Sequence, residues 1–108
     1  MANVLKRVTG TASIAGSTIF TVPIDTTLTI IGCRLANKTM ENQTAHVTIG
    51  GTLVSGIDTP IPVGAAMDIM VGSKIVALTG DTIVAFASDD AAIDVYVSYL
   101  EQTPDGVV

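Results

Sequence analysis

The fold is decided by two consecutive stretches of the chain, LTGDTIVAFAS at 78–88 and AIDVYVSYLE at 92–101. The second stretch alternates strictly between two faces, with Ile93, Val95, Val97 and Tyr99 on one and Asp94, Tyr96, Ser98 and Leu100 on the other. Because successive side chains of a strand point to opposite sides of a sheet, this alternation predicts a half-buried antiparallel strand. We predict that the two stretches form a hairpin closed by an acidic turn.

The composition favours an all-β domain. Hydrophobic residues make up 48% of the 108 residues, but aromatic residues only 4%, so aliphatic side chains must fill the core. Such side chains, together with abundant Thr, suit strands. Only 14% of the residues are charged, too few to coat solvent-facing helices. We therefore expect one β-sandwich domain over residues 1–103, followed by a flexible tail over residues 104–108.

Gly and Pro residues divide the rest of the chain into short segments with strand patterns. Within the segment 27–35, Leu28 and Ile30 alternate with Thr, whereas Ile31 and Cys33 fall on the opposite face, which predicts a central strand. The proline-containing segment 58–64 is predicted to be an extended connector. About eight short strands indicate an antiparallel β-sandwich that resembles a jelly roll. The other predicted strands cover residues 4–13, 18–22, 44–49, 52–57, 65–71 and 74–78.

The charge balance excludes some classes of partner. The formal net charge is −5, and the five basic residues are dispersed, so we expect no nucleic-acid binding. No apolar run is long enough to span a bilayer, so we expect no membrane association. Residues 1–7 do not resemble a signal peptide, so we expect synthesis in the cytoplasm. A mean hydropathy of +0.59 is high for a small monomer, which favours a homo-oligomer.

Candidate catalytic groups are few. The one histidine, His46, occupies an outward strand position with no orienting partner nearby in sequence, so it is a poor general base. The one cysteine, Cys33, is expected to be buried and cannot form an intrachain disulfide. We expect no catalytic residue, no cofactor and no enzymatic activity.

Four aspartates accompany the two opening stretches: Asp81, Asp89, Asp90 and Asp94. They could supply oxygen ligands for Ca²⁺, but their spacing matches no known calcium loop. Aspartate is also common in turns, where it bonds to the backbone. We therefore expect no metal site, and a tight turn at Gly80-Asp81 in which Gly80 has a positive φ.

The outward face of the stretch 92–101 is the candidate subunit interface. It carries Tyr96 and Leu100, which together with Val107 and Val108 of the tail could form an apolar patch. A strand buried on both faces would explain the same residues, and the sequence leaves the two interpretations open.

Five segments resemble small virion proteins of tailed bacteriophages: FTVPIDTT at 20–27, IIGCRLAN at 30–37, PIPVGAA at 60–66, LTGDTI at 78–83 and VSYLE at 97–101. The resemblance implies a structural protein of the virion that is made in the host cytoplasm. It implies a capsid decoration (cement) protein that binds the major capsid protein, or a small neck, tail or fibre component. It also implies a symmetric oligomer, with a trimer favoured, and it transfers no functional residue.

A carbohydrate-binding or adhesion module is the alternative from another class, because many sandwiches of this size bind sugars. Sugar sites usually contain an aromatic platform, for which Phe20, Phe86, Tyr96 and Tyr99 are available.

Overall fold

The structure, a computed structural model, describes residues 2–55, 59–69 and 74–103. The predictions for residues 56–58, 70–73 and 104–108, which include the tail, lie outside the described residues. Every regular element within the described ranges is a β-strand, so the all-β prediction is confirmed. The ten strands are β1 (Ala2–Thr11), β2 (Ser17–Thr21), β3 (Thr27–Asn37), β4 (Gln43–Ile49), β5 (Thr52–Leu53), β6 (Thr59–Ile61), β7 (Ala66–Asp68), β8 (Ile75–Ala77), β9 (Thr82–Ala87) and β10 (Ile93–Thr103).

The strands form two antiparallel sheets. The first sheet has the order β1-β10-β3, with β7 and β8 both paired to β3. The second has the order β2-β9-β4, with β5 and β6 both paired to β4. Each sheet therefore has four positions, the last of which is shared by two short strands. The chain passes repeatedly from one sheet to the other, and the resulting orders β1-β10-β3 and β2-β9-β4 are those of a jelly roll, as predicted.

The predicted hairpin between β9 and β10 is wrong. β9 pairs with β2 and β4, whereas β10 pairs with β1 and β3 in the other sheet. Both strands bury one apolar face, so each contributes to a different wall of the same core. The connection crosses between the sheets at Ala91, which has a φ of 57°, and the N–H of Ile14 donates to Asp90 Oδ1 at 2.9 Å beside it.

The core lies between the inner faces of the two sheets and is aliphatic. Its largest fully buried side chains are Leu28, Ile30, Leu35, Val47, Ile61, Ile83, Ile93, Val95 and Val97. Burying each such side chain contributes roughly 1.5 to 3 kcal/mol relative to leaving it exposed. The alternation predicted for β10 is confirmed, since Ile93, Val95, Val97 and Tyr99 are all buried.

A β-bulge in β3 corrects the prediction for Cys33. Ile30 is opposite Tyr99 and Gly32 is opposite Ser98, which leaves Ile31 as an extra residue. The extra residue reverses the alternation, so Cys33 points into the core on the same side as Leu28, and Ile31 is exposed. A Cβ on Gly32 would lie 2.7 Å from Ser98 Oγ, so the absence of a side chain at Gly32 leaves room for the Ser98 hydroxyl. The central position of β3 is confirmed.

The observed strand boundaries differ most from the predicted ones at the sheet edges. The predicted connector at 58–64 contains β6, in which Pro60 is opposite Thr44. Proline is tolerated there because an edge strand has one side without ladder partners. The strands predicted at 52–57 and 65–71 are shorter, covering Thr52–Leu53 and Ala66–Asp68. The predicted turn at Gly80 is confirmed by its φ of 87°.

Candidate functional site

The four aspartates considered as calcium ligands are dispersed. Asp81 precedes β9 and accepts a hydrogen bond from the N–H of Leu78 (2.9 Å to Oδ2), whereas Asp89 and Asp90 follow the far end of the same strand. Asp94 forms an ion pair with Lys38 at 2.9 Å. Within the described part of the chain, no group of three or more His, Cys, Asp or Glu side chains could hold a metal ion.

His46 and Cys33 are on different surfaces of the sandwich. His46 lies on the outer face of the second sheet, where its ring stacks on Phe86 with 4.5 Å between centroids and 14° between planes. Cys33 faces the core from the first sheet, and only 3% of it is exposed. Burial raises the pKa of its thiol to about 11, and the Asp68 carboxylate adds to the rise. The thiol is therefore protonated at neutral pH and is not positioned as a nucleophile beside His46.

The outer face of the first sheet is the candidate functional surface, and we call it the Tyr96 face. Strand pairing arranges its side chains in rows across β1, β10 and β3. One row runs from Thr9 through Tyr96 and Arg34 to Asp68 on β7. A second, more apolar row runs from Leu5 through Leu100 and Thr29 to Val76 on β8.

Tyr96 lies at the centre of the charged part of this face, with 45% of its surface exposed. The Arg7 guanidinium lies 5.8 Å from the centroid of its ring, within range of a cation–π contact. On the other side, Arg34 Nε donates to Asp68 Oδ1 at 2.8 Å, and a second bond at 3.3 Å makes the pair bidentate. Arg34 lowers the pKa of the Asp68 carboxyl through this hydrogen bond, and the pair remains ionised at neutral pH.

Shallow depressions surround the Tyr96 ring because its neighbours are small. Gly32 and Ser98 form the floor on the side of Arg34, and Gly10 and Ala36 do so on the side of Asp94. These two depressions have volumes of about 410 and 430 Å³, and Tyr96 lines both of them. A third, beside Leu5, Arg7 and Ile31, is lined by Tyr96 as well. The result is an exposed aromatic ring that side chains of a partner could enclose.

Three large apolar side chains of the Tyr96 face are exposed. Leu5 is 69% exposed, Val76 57% and Ile31 40%. Large contiguous apolar patches are rare on monomeric proteins and mark interaction sites. The described part of this surface combines apolar side chains, one aromatic ring and a few charges, a composition suited to binding.

The two described residues of the predicted interface both lie on the Tyr96 face. Tyr96 is exposed, and Leu100 is partly buried opposite Leu5. Val107 and Val108 lie outside the described residues. The sequence interpretation missed Leu5 and Arg7 because their neighbour β10 is some 90 residues away in sequence, on the order of the whole chain, and no local pattern signals that pairing.

Comparisons with known protein families, with curated proteins and with solved structures found no match to this chain. The described residues contain no helix that is long and apolar enough to cross a membrane.

Proposed function

We propose that the protein is a non-enzymatic structural subunit of a tailed-bacteriophage virion, a capsid decoration protein that binds the outer shell and stabilises it. The observation that carries the proposal is the Tyr96 face, a binding surface built from an exposed aromatic ring, exposed aliphatic side chains and few charges. The resemblance of five segments to phage virion proteins supplies the biological setting, and the major capsid protein or another virion protein is the partner.

The composition of the Tyr96 face supports protein binding. Tyrosine and arginine are enriched among the residues that dominate binding energies, especially where a ring enters a pocket and excludes water. Tyr96 and Arg7 are already in contact, so ordering them on binding costs less conformational entropy than ordering two independent side chains. The jelly-roll topology supports the setting by analogy, since viral capsid domains often have this fold.

The test is reconstitution with purified particles that lack the protein. The wild-type chain should bind and restore resistance to heat or low salt, whereas Tyr96→Ala should bind about thirtyfold more weakly or worse, since truncating a central aromatic contact costs about 2 kcal/mol or more. Leu53→Ala is the matched control, because Leu53 is equally exposed (44%) but lies on β5 in the second sheet. Equal binding of Tyr96→Ala and wild type, or particles that are equally robust without the protein, would refute the proposal.

Copy number separates decoration from the neck, tail or fibre alternative. A decoration protein is expected in hundreds of copies per virion, and a tail component in about six or twelve. Quantitative gels of purified virions give this number directly.

A carbohydrate-binding role is the second candidate, because Tyr96 is also the kind of exposed ring on which sugars stack. The other three aromatic residues are less available. Phe20 and Tyr99 pack against each other with ring centroids 5.4 Å apart, and Phe86 is stacked under His46. A glycan array with hits that Tyr96→Ala abolishes would favour this function over decoration, and an array without hits would count against it.

A further inference from the structure

The outer edge of β1 differs from the other sheet edges in the described residues. The edge strands β5, β6, β7 and β8 have two or three residues each, and β2 has five residues and a register irregularity. β1 has ten residues and pairs with β10 in one continuous register from Ala2 to Thr11. It contains no proline, and no described strand pairs with its outer edge. Proteins normally protect such an edge with short strands, bulges, proline or charged side chains, because it can pair with another strand, and of these devices β1 has only the charges of Lys6 and Arg7.

The backbone of β1 shows which groups are free along this edge. The N–H of Ala12 donates to the carbonyl of Ile93 at 2.9 Å, in the register that continues the β1–β10 ladder. Hydrogen-bonded positions alternate along an antiparallel ladder, so the even-numbered residues of β1 bond to β10. The odd-numbered residues, among them Asn3, Leu5 and Arg7, therefore direct their N–H and C=O groups away from the sheet.

Exposed apolar side chains occur on both faces of the same segment. Leu5, on the Tyr96 face, is 69% exposed, and Val4, on the opposite face, is 46% exposed. An edge strand that exposes an apolar side chain on each face and has free backbone groups is suited to adding one more strand to the sheet.

We propose that two copies of this chain pair through their β1 strands, antiparallel and two-fold symmetric about Leu5, to form one continuous sheet. In this register Leu5 is opposite the partner's Leu5, and Asn3 is opposite the partner's Arg7. These pairs all use odd-numbered positions, so the free backbone groups of Asn3, Leu5 and Arg7 in each copy are satisfied by the other copy.

Charge disfavours two of the neighbouring symmetric registers. Centring the pair on Lys6 or on Arg7 would place like charges directly opposite each other, which is unfavourable. Centring the pair on Val8 would place Leu5 opposite the partner's Thr11, so the apolar row that contains Leu5 would not join the same row of the partner. With Leu5 on the axis, Val4 is covered by the aliphatic part of the partner's Lys6, whose charge is balanced within its own chain by an ion pair with Glu101 at 3.1 Å.

The pairing concerns the chain alone, so it is independent of the proposed virion function. It yields a dimer and not the trimer that the family resemblance implies. Sedimentation equilibrium of the purified chain should give a mass of twice 11.1 kDa at high concentration. A chain that remains monomeric up to about 1 mM, or that forms a trimer, overturns the proposal.

The register is tested by charge substitutions on the axis. Leu5→Glu places two carboxylates opposite each other and should weaken the dimer by about a hundredfold or more. Leu78→Glu makes the same change at a similarly exposed leucine remote from β1 and should leave the dimer intact. A mixture of Leu5→Glu and Leu5→Lys should form a heterodimer. A Leu5→Glu variant that dimerises as tightly as wild type overturns the proposal.

Amide hydrogen exchange on the wild-type chain tests the same register without a substitution. The N–H groups of Leu5 and Arg7 should be protected at high concentration and lose protection on dilution. The N–H of Thr11 also points outward but lies beyond the overlap, so it should exchange quickly at every concentration. The N–H of Lys6, bonded to β10, should stay protected throughout. Concentration-independent exchange at Leu5 and Arg7 contradicts the pairing.

Discussion

Ionising the buried Cys33 thiol should destabilise the fold at alkaline pH. The thiol has a pKa of 9.0 in the unfolded chain, and burial raises the pKa to about 11 in the folded protein. The folded state therefore holds this proton more tightly, so the contribution of Cys33 to stability is fully present below pH 9.0. It is lost as the pH rises to about 11. Because a pKa difference of one between the folded and unfolded states corresponds to about 1.4 kcal/mol, this pKa difference contributes about 2 to 3 kcal/mol to the unfolding free energy.

Urea unfolding of the wild type and of Cys33→Ala between pH 7 and about 11.5 measures this contribution. The wild type should lose about 2 to 3 kcal/mol more than the variant across this range. Burial also raises the pKa of Tyr99, but Tyr99 is present in both proteins, so its effect cancels in the difference. Cys33→Ala removes a buried side chain and lowers stability at every pH, so only the difference in pH dependence counts. Parallel curves for the two proteins would show that burial does not perturb the thiol.

Two further substitutions test local features by chemical denaturation. Gly16→Ala should lower the unfolding free energy by about 2 to 4 kcal/mol, because Gly16 has a φ of 96° and an added Cβ would lie 2.5 Å from Phe86. The control is Gly51→Ala, where φ is 82° but the space is open, and it should cost only about 1 kcal/mol. Equal losses would rule out the contact with Phe86 as the cause. Asn37→Ala should cost about 2 to 4 kcal/mol, because its buried amide donates to the carbonyls of Glu41 and Ile61 and accepts from Thr39. The exposed Asn42→Ala should lose less than about 1 kcal/mol, and a comparable loss there would contradict the explanation.

The features that were predictable from the sequence are those that depend on local alternation. The period of two in Ile93 to Tyr99 gave both the burial of β10 and the exposure of Tyr96, because a strand in a two-layer fold has one inner face and one outer face. The Gly80 turn was also predictable, since a positive φ favours glycine. These features need no knowledge of which strands are neighbours.

The wrong predictions concern non-local pairing. The short acidic connection between β9 and β10 suits a hairpin, but the two strands belong to different sheets and bury their aliphatic faces in the common core. The bulge at Ile31 was also hidden, because an extra residue is defined only relative to the partner strand, here β10. One inserted residue was enough to place Cys33 on the same face as Leu28 instead of the opposite one, while its predicted burial is confirmed.

The two proposed surfaces meet at Leu5. Its side chain belongs to the apolar row of the Tyr96 face, and its backbone lies on the free edge of β1. Pairing about Leu5 therefore joins the apolar rows of two copies and places two Tyr96 faces side by side on one continuous sheet. Under the proposed function, such a dimer would contact a symmetric shell at two points, and linking two weak contacts strengthens the overall binding without any new interaction. The proposed dimer would then allow a face with few charges and a single exposed ring to attach more tightly than one copy alone.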